Sequence, residues 1–126
     1  MIPEDLKYSK EHEWVRVEGN IAAVGITDYA QGELGDIVFV ELPKPGTKVE
    51  HMKSFGTIEA VKAISDLFSP LTGEVSEVNS QVETDASIIN KDPYGDGWII
   101  KIKFSNRGEL DSLLSAEEYG SLIGAQ

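Results

Sequence analysis

Short apolar runs separated by glycine and proline constrain the fold of this chain more than any other feature. The sequence contains 12 glycines and 5 prolines, and they recur between stretches rich in valine and isoleucine. Two such stretches are Glu13–Val17 and Ile21–Gly25, and the Gly19-Asn20 pair between them accepts the positive φ of a tight hairpin. The pattern predicts a chain of short strands and turns, and therefore a mainly β fold.

Further strands are predicted up to residue 104. Asp36–Leu42 is a nearly continuous apolar run, and it must end at Pro43–Gly46 because prolines at that density cannot lie inside a central strand. The remaining strands are predicted at Ser54–Ala60, Ala63–Phe68, Glu74–Val78 and Gly97–Phe104. A weak internal similarity links residues 35–40 and 73–78, because both read glycine, acid, branched aliphatic, two residues, valine. It hints at two related halves.

Helices are predicted in two places. Thr27 is a suitable N-cap for a short helix that Gly32 and Gly35 would stop. In the C-terminal part, Glu109–Leu114 is compatible with a helix, and Ser115–Glu118 fits a capping box that opens another. The buried stripe of this region is predicted to consist of Leu110, Leu113, Leu114, Tyr119, Leu122 and Ile123.

Length and composition exclude several classes of function. A chain of 126 residues is predicted to be a single domain, 1–126. Its 22 acidic and 11 basic side chains give a formal charge of −11, which repels phosphate backbones and argues against binding to nucleic acid. The absence of cysteine excludes disulfides, thiolate metal sites and a cysteine nucleophile. The first residues lack the basic and apolar regions of an export signal, so no membrane association and a cytoplasmic location are expected.

Other candidate sites have ordinary interpretations at this point. The two histidines, His12 and His51, lack the spacing of a metal site. Asp92–Gly97 lacks the alternating ligands of a calcium loop and is predicted to be a turn. Glu11 and Glu13 share one face of a strand, and in so acidic a chain they are predicted to lie on a solvated surface.

Lys62 is the residue that this pattern does not explain. It is the only basic residue from Ser54 to Asn90, a window that contains six acids. Val61-Lys62 lies where two predicted strands reverse, although neither residue is a typical turn former. A lysine that projects from such a turn suits covalent attachment, because its flexible stem reaches solvent from a fixed base. An ordinary surface lysine that balances nearby acids remains an alternative, whereas a Schiff-base lysine would need an apolar pocket that a hairpin tip does not provide.

The stretch around this lysine is long and specific: Gly56–Pro70 reads GTIEAVKAISDLFSP, and it continues through Gly73–Val75. In this signature the chain resembles the H protein of the glycine cleavage system, a family of lipoyl carriers. Further similar blocks, which cover nearly the whole chain, are Glu11–Trp14, Gly25–Gln31, Leu34–Asp36, Asp92–Gly95, Gly97-Trp98 and Glu109–Leu114. Ala60, Val82 and Ala86 stand where the family more often has serine, leucine and proline, which leaves room for an effect on partner contacts.

The resemblance implies a fold and a cofactor. The fold is a barrel-sandwich hybrid of the biotinyl/lipoyl carrier type, with two quasi-symmetric antiparallel sheets and short helices. The lipoyl-like core is expected at about 21–103 and a C-terminal helical clamp at about 105–124. The cofactor is lipoic acid, amide-linked to Lys62, which would change the formal charge from −11 to −12. Biotin carriers usually flank their lysine with methionines, so Val61 and Ala63 favour lipoate.

The resemblance also implies a shuttle rather than an enzyme. The chain would carry the aminomethyl group of glycine from a pyridoxal-phosphate decarboxylase (P protein) to a tetrahydrofolate-dependent aminomethyltransferase (T protein). Dihydrolipoamide dehydrogenase (L protein) would then reoxidise it. A lipoate ligase or a lipoyl/octanoyl transferase would attach the cofactor, and the carrier is expected to be a monomer.

The same resemblance suggests contacts for the arm and for the attaching enzyme. Glu13 and Asp66 are candidates to hold the cationic amine of the loaded arm. Glu59 and Asp66, with Val61 and Ala63 beside the lysine, are candidates for recognition during lipoylation. Four alternatives stay open: a lipoyl donor or relay for protein lipoylation, a lipoyl protein outside glycine metabolism, a biotin carrier, and a small acidic interaction module with an unmodified lysine.

Overall fold

The computed structural model describes residues 2–124 and consists mainly of β-strands. Within these residues the strands are β1 (Lys7–Tyr8), β2 (Glu13–Glu18), β3 (Ile21–Ile26), β4 (Ile37–Glu41), β5 (Lys48–Val49), β6 (Ser54–Ala60), β7 (Ile64–Phe68), β8 (Gly73–Val78) and β9 (Ile100–Phe104). They form a six-stranded sheet in the order β1-β2-β3-β9-β8-β5 and a three-stranded sheet in the order β4-β6-β7. All of these pairings are antiparallel. The predicted mainly β class with two antiparallel sheets is confirmed, and neither sheet closes into a barrel across residues 2–124.

The first hairpin and the last strand test the strand predictions. The hairpin of β2 and β3 is confirmed, with Glu18 opposite Ile21 and with Gly19 at a φ of 63°. The last strand begins at Ile100 rather than at Gly97. Residues 93–97 form a turn instead, in which the Gly97 and Trp98 amides donate to the carbonyls of Asp92 and Gly95. The side-chain amide of Asn79 also donates to the backbone oxygens of Asp96 and Trp98. The backbone of residues 96–98 is therefore bound within the turn and by a side chain, and not by a neighbouring strand.

The helices are short. They are α1 (Asp28–Leu34), α2 (Ser80–Thr84), α3 (Ile88–Lys91), a 3-10 helix (Arg107–Ser112) and α4 (Ala116–Ile123). Thr27 caps α1 as predicted, because its hydroxyl accepts from the Ala30 amide. Gly32 does not stop this helix, and Gly35 ends it with a φ of 81°. An interior glycine costs a helix only about 1 kcal/mol, whereas the positive φ at its end suits glycine alone. None of the helices among residues 2–124 is both long and apolar enough to cross a membrane.

The C-terminal region follows the prediction in part. Glu109–Leu114 is not an α-helix, since the 3-10 helix spans Arg107–Ser112. The capping box of Ser115 and Glu118 is confirmed at the start of α4, which confirms a C-terminal helix. Leu113 and Tyr119 are buried as predicted, but Leu122 is 51% exposed. At about 100° per residue, Leu122 lies off the face that Tyr119 and Ile123 turn toward the body.

Four short elements carry too little periodicity to be predicted from sequence. They are β1, β5, α2 and α3, of two to five residues each. Tertiary contacts hold them in place. Tyr8 in β1 exchanges two backbone hydrogen bonds with Leu114, of 2.9 and 2.7 Å. Asn79 caps α2 by accepting from the Gln81 amide. Leu114 is far from β1 in the chain, and Asn79 itself donates to the distant oxygens of Asp96 and Trp98, so contacts between distant segments position β1 and α2.

The two segments with similar sequences, residues 35–40 and 73–78, both contain strands, and these lie in different sheets. The first contains most of β4 in the three-stranded sheet, and the second is β8 in the six-stranded sheet. Their branched residues, Ile37 and Val75, both belong to one buried cluster between the sheets. The sequence similarity thus corresponds to one core-facing strand in each sheet.

Strand β2 is buried on both faces. Its residue Val15 packs into the main core, while Trp14 packs with Tyr8 and Tyr119 in a second cluster beneath α4. Trp14 is fully buried, and its indole N–H donates to the Pro93 carbonyl at 2.8 Å. Because side chains alternate along a strand, Glu13 shares a face with Val15. The fold therefore directs an acidic side chain toward the interior.

Candidate functional site

Lys62 lies at an exposed turn between β6 and β7. The pair is antiparallel with Glu59 opposite Ile64, and the Ala60 amide donates to the Ala63 carbonyl at 2.7 Å. The predicted reversal at Val61-Lys62 is confirmed, and neither of these residues has a positive φ. The Val61 amide also donates to the Asp36 carbonyl at 3.0 Å, which ties the turn to the start of β4. The base of the lysine is thus held from two strands while Lys62 itself is exposed.

The stem of Lys62 passes over the end of α1. A Cβ built on Gly35 would lie 3.4 Å from Lys62 Cε and 3.9 Å from its Nζ. Gly35 is the residue that terminates α1, so the ammonium lies near the negative end of the helix dipole. These are ordinary van der Waals distances, so the stem leaves room for a Cβ. Glycine at this position is required by the φ of 81° that ends the helix.

A cavity of about 260 Å³ adjoins the same helix. Its walls come from α1, from the segment that enters β2, and from the facing strands β6 and β7. The lining residues are Glu11, His12, Glu13, Ile26, Tyr29, Ala30, Glu33, Leu34, Ile58, Ser65, Asp66 and Leu67. The structure therefore brings two predicted site residues, Glu13 and Asp66, to one cavity. The other predicted residues, Glu59, Val61 and Ala63, do not line it.

Glu13 is buried, so its predicted place on a solvated surface is wrong. It is 2% exposed, while its neighbour Glu11 is exposed. Glu13 Oε1 accepts the Ser9 hydroxyl at 2.5 Å, and Oε2 lies 3.4 Å from the Phe68 amide of β7. Burial raises the pKa of Glu13 to about 8, although these two hydrogen bonds favour the charged form. At neutral pH most of the molecules hold a protonated carboxyl here.

The hydrogen bonds that Ser9 accepts determine where its hydroxyl hydrogen points. Its Oγ accepts the amides of Glu11 and Glu13, at 3.2 and 3.1 Å. Both lone pairs of the hydroxyl are then used, so its hydrogen must point to Glu13 Oε1. Ser9 therefore holds the carboxyl of Glu13 in one orientation. Asp66 differs from Glu13 because it is exposed, and it lies at the rim of the cavity.

His12 forms another wall of the cavity and has an unusual backbone. Its φ is 74°, which is rare for a residue with a side chain. Its Nδ1 lies 2.8 Å from the Tyr119 hydroxyl, which in turn lies 2.7 Å from Thr27 Oγ1. Thr27 Oγ1 already accepts from the Ala30 amide. Burial lowers the pKa of His12 below 6.5. A chain of hydrogen bonds thus links the start of α1 to the cavity through α4.

Replacement of Tyr119 by phenylalanine is expected to lower the free energy of unfolding by about 1–3 kcal/mol. The change keeps the stacking on Tyr8, whose ring centroid is 4.8 Å away, but leaves His12 Nδ1 and Thr27 Oγ1 without this partner. Urea unfolding measures the effect. Tyr29→Phe is the matched control, because the Tyr29 hydroxyl has no hydrogen-bond partner among residues 2–124. Equal losses in the two variants would contradict the network.

Several of these residues are not found by sequence reasoning. Ser9, His12, Tyr29 and Tyr119 carry no metal or catalytic spacing, and their roles depend on contacts between distant segments. His12 and Tyr119 are 107 residues apart in the chain. The one local signal is that His12 and Tyr29 lie in blocks that resemble the H proteins.

Comparisons with known proteins extend this picture. A family model described as "Glycine cleavage H-protein" matches residues 6–125. The chain belongs to the glycine cleavage H-protein family. The glycine cleavage system H protein of Carboxydothermus hydrogenoformans is 54% identical over 98% of this chain and 95% of its own length. That of Symbiobacterium thermophilum is 57% identical over 94% of this chain and 92% of its own length.

A solved structure supports the same assignment. The crystal structure of a glycine cleavage system H protein from Mycobacterium marinum superposes with a TM-score of 0.90 at 40% identity. The match covers 98% of this chain and 99% of that one. Membership in the H-protein family gives the chain a lipoyl-carrier role in the glycine cleavage system.

The three departures from the H-protein pattern do not lie on the surface. Ala60 is 4% exposed, Val82 is fully buried and Ala86 is 6% exposed. The sequence left open a direct effect of these side chains on partner contacts, and their burial argues against it. They pack in the interior: Val82 and Ala86 belong to the main buried cluster.

Proposed function

We propose that Lys62 carries lipoic acid in amide linkage and that residues 1–126 act as one lipoyl-carrier domain. The observation that carries this proposal is the exposed lysine on a turn whose backbone is held by β4, β6 and β7. Among residues 2–124, Lys62 makes no ion pair, so no carboxylate holds its ammonium. When it is bound, lipoic acid supplies a disulfide that accepts two electrons together with a carbon group.

The proposed role is that of a shuttle rather than an enzyme. The chain carries the aminomethyl group of glycine from the P protein to the T protein, and the L protein then reoxidises it. Attachment to one flexible side chain raises the local concentration of the cargo at each of these active sites. The chain's own contribution is a rigid base for the arm, a cavity beside it and an acidic surface for recognition.

The cavity next to α1 is proposed to receive the end of the loaded arm. Its cargo bears an amine that is cationic at neutral pH. A cation beside Glu13 favours the ionised carboxylate, so the cargo and the charge on Glu13 stabilise one another. Ser9 keeps that carboxylate oriented, and the burial of Glu13 keeps water away from it. Asp66 adds a second negative charge at the rim.

Intact mass of the chain isolated from its native cells tests the attachment. The expected result is the increment of one lipoyl amide, located at Lys62 by peptide mapping. The increment of a biotinyl amide, or an unmodified mass, would contradict the proposal. An increment that persists in Lys62→Ala would show that another residue carries the cofactor.

A further inference from the structure

An apolar patch surrounds the turn that bears Lys62. We call it the tip patch, and it consists of Val38, Phe39, Val61 and Ile64. Their exposed fractions are 54%, 54%, 75% and 70%. They are four of the six large hydrophobic residues that are exposed among residues 2–124. Exposed apolar side chains that cluster in this way mark an interaction site rather than ordinary surface.

The backbone of β4 is irregular where it contributes to this patch. The register between β4 and β6 shifts between Ile37 and Phe39, which is the signature of a β-bulge. Strand alternation would turn one of Val38 and Phe39 inward, but both are exposed, while Ile37 and Val40 on either side are buried. Bulges of this kind re-aim side chains near functional sites. The bulge here adds an apolar side chain to the outer face of the three-stranded sheet.

Acidic residues lie within the tip patch and around it. Glu59 lies between Phe39 and Ile64 across the three strands, since it pairs with both. Asp36 and Glu41 are exposed at the two ends of β4. Two copies of the chain that met through this face would bring like charges together, which opposes self-association. An occupant therefore needs apolar groups for these side chains, a cationic group that meets Glu59 among them, and further cationic groups around them.

We infer that the tip patch is the docking surface for the enzyme that acylates Lys62. The inference rests on the proposed attachment at this lysine. An enzyme that joins a lipoate carboxyl to Nζ must bring its active site to the end of a four-carbon stem, so it contacts the residues around the turn. Enzymes that act on the far end of the completed arm can reach their reacting atoms across the length of that arm, whereas the attaching enzyme has no arm to use. The residues nearest the turn thus form the contact surface for the attaching enzyme.

The test compares lipoate attachment in matched variants. The triple variant Val38→Thr, Phe39→Thr, Ile64→Thr removes apolar area but keeps residues that favour strands. The assay uses the purified unmodified chain, a lipoate ligase, lipoate and ATP, and follows intact mass with time. ATP converts the lipoate carboxyl to lipoyl-AMP with release of pyrophosphate, and Nζ then displaces AMP as the amide forms and a proton leaves. We expect kcat/KM to fall about tenfold or more, since such centres carry most of the binding energy of an interface.

Two controls keep the result interpretable. Leu122→Gln removes an exposed apolar side chain from α4 and is expected to leave kcat/KM unchanged. Phe39→Leu keeps an apolar side chain and is expected to retain most of the wild-type rate, even if the triple variant is poorly folded. The thermal unfolding of each variant is measured alongside.

The possible outcomes separate this inference from the proposed function. If the wild-type chain gains no mass at Lys62, the proposed attachment fails. If wild-type chain and a folded triple variant are modified with equal kcat/KM, the attachment stands and the docking inference is overturned. It is also overturned if only exchange with the P protein falls in fully lipoylated triple variant, or if sedimentation shows that the patch joins two copies.

Discussion

Replacement of Lys62 by arginine is expected to reduce glycine-dependent exchange of carbon dioxide with a cognate P protein to background. Arginine keeps the positive charge and a long stem, but its guanidinium stays protonated and is not a substrate for acylation. The exposed turn requires no particular packing from this side chain, so the fold is expected to be unchanged. The measurement is incorporation of labelled carbon dioxide into glycine, with lipoylated wild-type chain as the reference.

Lysine replacement elsewhere provides the control for this result. Lys53 is also exposed and immediately precedes β6, at the opposite end of that strand from the turn. Lys53→Arg is expected to retain full exchange, and Lys62→Ala is expected to behave like Lys62→Arg. Normal exchange with Lys62→Arg would refute the carrier role at this residue, since no amide could have formed there. Loss in both arginine variants would point instead to a general effect of lysine replacement.

The stability of the chain is expected to depend on pH through Glu13. Its pKa is about 8 in the folded chain and 4.5 in the absence of burial. Between these values the folded chain holds a proton that the unfolded chain has released. The contribution of Glu13 to the free energy of unfolding is therefore complete below about pH 4.5 and is lost as pH rises toward 8. Between the two pKa values the free energy of unfolding falls by about 1.4 kcal/mol per pH unit.

Glu13→Gln removes this titration. Relative to that of the wild-type chain, the free energy of unfolding of the variant is expected to rise by roughly 3–4 kcal/mol between pH 5 and pH 8. At pH 5 it is expected to be no more stable than wild type, because its amide nitrogen can come to face the Phe68 N–H. Urea unfolding at several pH values measures the difference. The exposed neighbour serves as control: Glu11→Gln is expected to follow the wild-type pH dependence. Parallel curves for Glu13→Gln and wild type would mean that the carboxyl is not held neutral.

Lys62 and Glu13 show which features of the site can be predicted from the sequence and which cannot. Lys62 is visible as a lone cation at a reversal with no turn-forming residues, and the structure has the turn there. Glu13 is equally visible as a residue in a strand, but its environment is not. In an acidic chain a glutamate in a strand is normally solvated. It is buried here because β7 brings the Phe68 amide to the face of β2 that carries Glu13 and Val15.

Local irregularities are the other part that sequence does not predict. Gly32 and Gly35 are equivalent stop signals in sequence, yet only Gly35 has the positive φ that ends α1. The bulge in β4 breaks the alternation that a sequence pattern assumes, and so exposes both Val38 and Phe39. The positive φ of His12 has no sequence signal and accompanies its bond to Tyr119 on α4.

The sequence by itself determined the fold class, most of the strands, the capped C-terminal helix and the exposed turn at Lys62. Those features follow from local patterns: apolar alternation, turn residues and capping boxes act within a few residues of chain. Only the tertiary structure decided which carboxylate is buried, where the cavity lies and which apolar residues surround the lysine. Those features depend on contacts between segments far apart in the chain, and such contacts set burial, pKa and exposure without leaving a local pattern.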